Sequence, residues 1–133
     1  TIMMSSFFLE NEPVHILRAG NKTARKFLSD KIKINIQYIL ILYSLPVIIN
    51  AIFVQEFLLI TLLFIPVQLA LVSFAICLKY SSYKPNTNLL GNNIAFSIIA
   101  MLSAVPYFLP VAAIFAIVYF FRAEKNLKKY LHD

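Results

Sequence analysis

From Ile34 to Leu78 the chain reads INIQYILILYSLPVIINAIFV, then QE, then FLLITLLFIPVQLALVSFAICL. The first block, Ile34 to Val54, holds 21 residues without a charge. As a helix it reaches about 31 Å, the thickness of a bilayer's hydrocarbon core. The second block, Phe57 to Leu78, is equally uncharged, and only Gln55 and Glu56 stand between the two. That leaves room for a tight hairpin, so the blocks are expected as antiparallel neighbours. Outward toward the C-terminus, Leu89 to Phe121 is a third uncharged run of 33 residues, too long for one span of about 17–25 residues.

Charge placement decides how the third run is used, because Lys and Arg collect in the cytoplasmic loops near helix ends. Arg18, Lys22, Arg25, Lys26, Lys31 and Lys33 precede the first block, Lys79 and Lys84 follow the second, and Arg122, Lys125, Lys128 and Lys129 follow the third. Two crossings in the third run put all 12 basic residues on one side, whereas one crossing divides them 8 to 4. Pro106 and Pro110 bracket Tyr107-Phe108-Leu109 and supply a break, since each ring removes a backbone donor and an aromatic pair suits the interface. The expected fold class is an all-α polytopic membrane helix bundle. Its parts are a lead-in over 1–33, a bundle over 34–121 with spans at about 34–54, 57–78, 90–105 and 108–121, and a basic tail over 122–133. Both termini are expected in the cytoplasm, with the bundle integral to the cytoplasmic (inner) membrane.

Composition points the same way. Hydrophobic residues make up 60% of the 133 and charged residues 14%, against about 45–50% and about 25% in soluble domains. So apolar a chain is neither disordered nor able to clothe itself in water. One cysteine, Cys77, excludes an intrachain disulfide and any multi-cysteine metal site. With two glycines, Gly20 and Gly91, no glycine-rich phosphate loop can be built. No cofactor is expected, and any ATP that drives this protein must be bound by another chain or domain. The net charge of +6 reads as the topological bias itself, with no nucleic-acid partner expected. The first 33 residues show no apolar stretch with a cleavage site of the secretory kind.

Few residues offer catalysis. His15 and His132 lie at opposite ends of the chain and no acidic residue falls inside a span, which excludes an intramembrane His/Glu metal site, an aspartyl dyad and a buried proton-carrying carboxylate. His15 reads as a solvent-facing histidine and Cys77 as a small packing residue. The chain is therefore not expected to be an enzyme. The spans do carry Gln37, Ser44, Asn50, Thr61, Gln68 and Ser73, together with Pro46 and Pro66 near the middles of the first two. Polar groups in hydrocarbon turn toward protein or water. Two readings stay open for them: hydrogen bonding between packed helices, or a translocation path lined by Asn50 and Gln68.

In the lead-in, Glu12-Pro13 starts a short helix with Val14, Ile16 and Leu17 on its apolar side and Gly20 as its cap. A second helix is expected to begin near Asn21, with Ala24, Phe27, Leu28 and Ile32 on one face and Arg25, Lys26 and Lys33 away from it, and to run straight into the first span. Such a basic amphipathic helix suits either an anchor on anionic lipid or a protein contact.

The order Phe7-Phe8-Leu9-Glu10, Ile16-Leu17-Arg18-Ala19-Gly20, Lys26-Phe27-Leu28 and Asp30-Lys31-Ile32 resembles the cytoplasmic loop of the permease subunits of type-2 ATP-binding-cassette exporters. Four spans after such a loop also look like the second part of that family's six-span domain. Gly20-Asn21 stands where the family commonly has proline, and the family's first two spans have no counterpart here, so the resemblance implies a fragment or half-domain. It also implies a translocation role coupled to a separate cytoplasmic nucleotide-binding ATPase, contacted through Glu10, Arg18, Arg25 and Lys26. Membrane lipid and further membrane helices or a second copy are the other expected partners. The rival reading is a non-transporting scaffold or assembly subunit of a larger membrane complex.

Overall fold

The computed structural model describes residues 13–18, 22–85, 90–102 and 109–131. Among them every regular element is helical: α1 (Val14–Arg18), α2 (Ala24–Phe53), a 3₁₀ turn (Gln55–Phe57), α3 (Leu58–Ser81), α4 (Leu90–Leu102) and α5 (Leu109–Lys128). Gly20, the expected cap of α1, lies outside the described residues, as do Pro106, Tyr107 and Phe108 of the expected break.

Helix α2 begins two residues later than the Asn21 start expected from sequence. Thr23 is extended (φ −63°, ψ 151°) and its hydroxyl accepts from the Lys26 N–H at 3.4 Å, satisfying one of the donors a helix start leaves unpaired. The shift has a packing cause. The helix opens at its first fully buried residue, Ala24, and repeats that contact four residues on at Leu28. From there it runs unbroken for 30 residues, about 45 Å, so the basic segment and the first apolar block form one rod. Pro46 sits inside it.

The reversal is short. The Val54 N–H still reaches the Asn50 carbonyl at 3.2 Å, and the Phe57 N–H closes onto the Val54 carbonyl at 3.0 Å. Helix α3 then follows for 24 residues with Pro66 inside it. At the start of α5, Pro110 falls in the first turn, where a missing N–H costs nothing and the fixed φ favours a helix.

Helix α3 is the centre of the bundle. It packs against α2, α4 and α5, most extensively against α5. The ring of Phe74 lies 6.1 Å from Phe115 and 5.5 Å from Tyr119, while further along both helices Asn126 meets Tyr80, so α3 and α5 run parallel. Helix α4 packs on α3, bringing Phe96 to 6.5 Å from Phe74, and Ile99 joins the cluster with Val67, Leu71 and Ala112. A second cluster lies on another face of α3 and reaches the basic end, joining Leu17 of α1, Ala24 and Leu28 of α2, Val72, Ile76 and Tyr80 of α3, and Ala123 and Leu127 of α5.

Two helical stretches, Ala24–Phe53 and Gln55–Ser81, are long and apolar enough to cross a membrane. In the most apolar part of each only 6% and 22% of the residues are buried, which separates them from the core helices of a water-soluble domain. Ile41, Leu42, Leu45, Ile52 and Phe53 of α2 and Leu59 of α3 all stand outward. Helix α4 has 13 residues, about 20 Å, and the apolar part of α5 up to Phe121 is about as short, against a hydrocarbon core of about 30 Å.

Candidate functional site

The distinctive construction is at the end of the bundle where the lead-in, the end of α3 and the end of α5 meet. The apolar side of α2's first turns, Ala24 and Leu28 with Phe27 and Ile32 against them, faces this junction, and Arg25, Lys26 and Lys33 are exposed. Phe27 sets its edge on Tyr80 with ring centroids 5.4 Å apart. Tyr83 and Tyr130 make a similar pair at 5.3 Å. The four rings come from three segments distant in sequence, so the junction depends on the fold.

Polar bonds fix the same junction. The Asn126 amide donates to the carbonyls of Tyr80 and Tyr83, 3.1 Å each, and so holds the C-terminal end of α3, where helix carbonyls lack internal partners. The Arg18 guanidinium donates from Nε to the Tyr130 carbonyl at 2.9 Å, tying α1 to the turn that follows α5. Lys31 lies 5.6 Å above the Phe27 ring, Lys79 is 5.6 Å from the Tyr80 ring, and Arg122 is 5.3 Å from Tyr119, placing cations on ring faces that attract them. Lys22 pairs with Asp30 across the start of α2. That hydrogen bond, with the charges of Lys22, Lys26 and Lys33, holds the Asp30 carboxyl below its ordinary 3.8.

Between the first turn of α2 and the last turns of α5 lies a groove of about 430 Å³ lined by Thr23, Arg25, Glu124 and Lys128. Lys128 and Glu124 form an i,i+4 pair at 3.2 Å. Of the residues implied as an ATPase contact, Arg25 lines this groove, Lys26 is exposed one position on, Arg18 is engaged with Tyr130, and Glu10 lies outside the described residues. Residues 122–133 are expected as a basic tail, whereas α5 continues to Lys128 and Ala123, Leu127 and, after it, Leu131 are buried. Their four-residue spacing is the signal that marks one helix face.

At the opposite end the hairpin is clasped by side chains. The Asn50 amide donates to the Thr61 hydroxyl at 2.6 Å, and that hydroxyl donates to the Phe57 carbonyl at 2.9 Å. Gln68 is half-buried on α3, seven residues beyond Thr61 and about 10 Å deeper, so Asn50 and Gln68 do not meet. Ser44 and Ser73 turn back onto their own helices, at the carbonyls of Ile41 and Leu69. Gln37 and Ser44 both lie on the exposed side of α2. Cys77 is a buried thiol of α3. Among the described residues no group of His, Cys, Asp and Glu is arranged to hold a metal.

No protein-family model, no curated protein and no solved structure matches this chain.

Proposed function

We propose that this chain is the permease component of an ATP-driven exporter, forming part of a translocation path and coupled to a separate ATPase. The observation that supports this reading best is the unbroken helix from Ala24 to Phe53. A displacement applied to its basic end is passed toward the hairpin along about 45 Å of helix, with Pro46 as the point where it can bend. The junction with Tyr80, Tyr83 and Asn126 spreads the same push to the ends of α3 and α5. The polar face of Gln37 and Ser44 looks away from the chain's own helices, so on this reading a second copy or further helices complete the path. The chain then sits in the cytoplasmic membrane with its basic end toward the cytoplasm.

The test is purification of the tagged chain from its native membrane in mild detergent, with assay of co-purifying ATP hydrolysis. On the permease reading an ATPase accompanies the native chain, and Arg25→Glu releases it or abolishes its stimulation. An intact complex without nucleotide hydrolysis overturns the proposal and leaves the scaffold reading. That second reading draws its support from Asn50, whose amide donates to the Thr61 hydroxyl of the neighbouring helix, a bond typical of packed helices. Asn50→Leu and Gln68→Leu discriminate further. A path role lowers export at unchanged stability, whereas a packing role changes stability by about 0.6 kcal/mol on average and export only with protein level.

A further inference from the structure

We infer that the groove of Thr23, Arg25, Glu124 and Lys128 is the docking site for an acidic segment of a water-soluble partner protein. The inference rests on the reading of this chain as membrane-spanning with its basic end in water, and it moves the main contact from the lead-in alone to a surface shared with α5. Charge supports an acidic occupant. The two segments that supply the groove's lining carry five cations and one anion over 22–33 and four cations and one anion over 122–129, a surplus of seven positive charges. Within it, Arg25 and Lys128 approach from two different helices and outnumber Glu124.

Height above the bilayer favours a protein over lipid headgroups. Arg25 precedes Ile34, the first residue of the apolar block, by nine positions of continuous helix, and Lys128 follows Phe121, the last apolar residue of α5, by seven. At 1.5 Å per residue the two cations stand about 13 Å and 10 Å beyond the hydrocarbon edge. The headgroup layer is only about 5–8 Å thick on each side. Two helices counted independently thus place the groove past the headgroups, in water. The groove lies open between two helix ends, within reach of a carboxylate side chain. Arg18 has a different part: its bond to the Tyr130 carbonyl holds α1 and the α5 turn together, making it a positioning residue for the groove.

The test uses the full chain in nanodiscs of zwitterionic lipid and a fluorescein-labelled oligoglutamate peptide read by anisotropy. The native chain is expected to bind, in a salt-dependent manner. The double substitution Arg25→Glu with Lys128→Glu is expected to weaken binding by about tenfold or more and to create binding of an oligolysine peptide. Both positions are exposed, and a circular-dichroism melt of each variant verifies folding. Arg25→Gln with Lys128→Gln provides the milder second variant, expected to weaken oligoglutamate binding without recruiting oligolysine. Oligoglutamate binding equal in the native and doubly reversed chains overturns the inference. So does loss of binding to phosphatidylserine vesicles in the reversed chain with oligoglutamate binding unchanged, which assigns the groove to lipid. Failure of the exporter reading is seen separately, as an absence of co-purifying ATP hydrolysis with peptide binding intact.

Discussion

Asn126 offers the sharpest test of how the basic end is held. Its amide donates two hydrogen bonds of 3.1 Å, to the carbonyls of Tyr80 and Tyr83, whose residues are only 2% and 1% exposed. Replacement by aspartate preserves size and shape while exchanging the two donors for a carboxylate oxygen that faces two carbonyl oxygens. A net hydrogen bond contributes about 0.5–1.5 kcal/mol. The Tyr80 carbonyl keeps contacts from the N–H groups of Ser82 and Tyr83, which places the lost bonds toward the lower part of that range, about 1–2 kcal/mol together. Repulsion between like dipoles adds to this, so Asn126→Asp is expected to be at least as destabilising as Asn126→Ala at neutral pH. Two carbonyl oxygens also disfavour the charged form of the new carboxyl and raise its pKa above about 3.9. Its native state then holds a proton that the unfolded chain has released, and stability rises as pH falls through the raised value. Chemical unfolding in mild detergent at neutral and acidic pH measures both effects. An Asn126→Asp protein within about 0.3 kcal/mol of the native chain at neutral pH would refute the assignment of Asn126 as the clasp of α3 and α5.

Other expectations follow from the same geometry. In a Cys77→Ser background, single cysteines at Ser82 and Lys129 should react from the basic side and one at Glu56 from the opposite side; labelling at Lys129 from the Glu56 side removes the return passage of α5. A double-mutant cycle of Asn50→Leu and Thr61→Val should give a coupling of about 0.6 kcal/mol and no more than about 1.7, and zero coupling dissolves the hairpin clasp. The Asp30 carboxyl should titrate below 3.8 and return toward its ordinary value in Lys22→Gln. Because its folded value is depressed, the pair's small stabilisation is present above the ordinary value and lost as pH falls through the depressed one; an unchanged titration in the variant contradicts the pairing. Leu28→Ala should cost about 2–5 kcal/mol, since Leu28 is fully buried where α2 meets α3 and α5, and a near-neutral result in the same unfolding assay would mean that the lead-in is not packed on the bundle.

The helical class and the two long apolar helices are legible in the amino-acid sequence. Both are written in composition along one dimension: uncharged runs at Ile34–Val54 and Phe57–Leu78, with two polar residues between them, dictate two rods and a short reversal because unpaired backbone polar groups cannot stay in hydrocarbon. The face of α2 that carries Ala24 and Leu28 was readable for the same reason, a helix repeating its contacts every three to four residues. The start of α2 at Thr23 was not readable, because Asn21 and Thr23 are both competent caps and only the seat of Ala24 against the other helices chooses between them. Nor was the role of the C-terminal segment. A run of Arg, Glu and Lys reads as solvated until its four-residue stripe of Ala123, Leu127 and Leu131 finds a partner surface, and that surface is assembled from α1, α2 and the end of α3. The meeting of Asn126 with Tyr80 and of Arg18 with Tyr130, and the placing of Arg25 and Lys128 on one groove, came from the packing of α1, α2 and the end of α3 against α5, because each joins residues far apart in the chain.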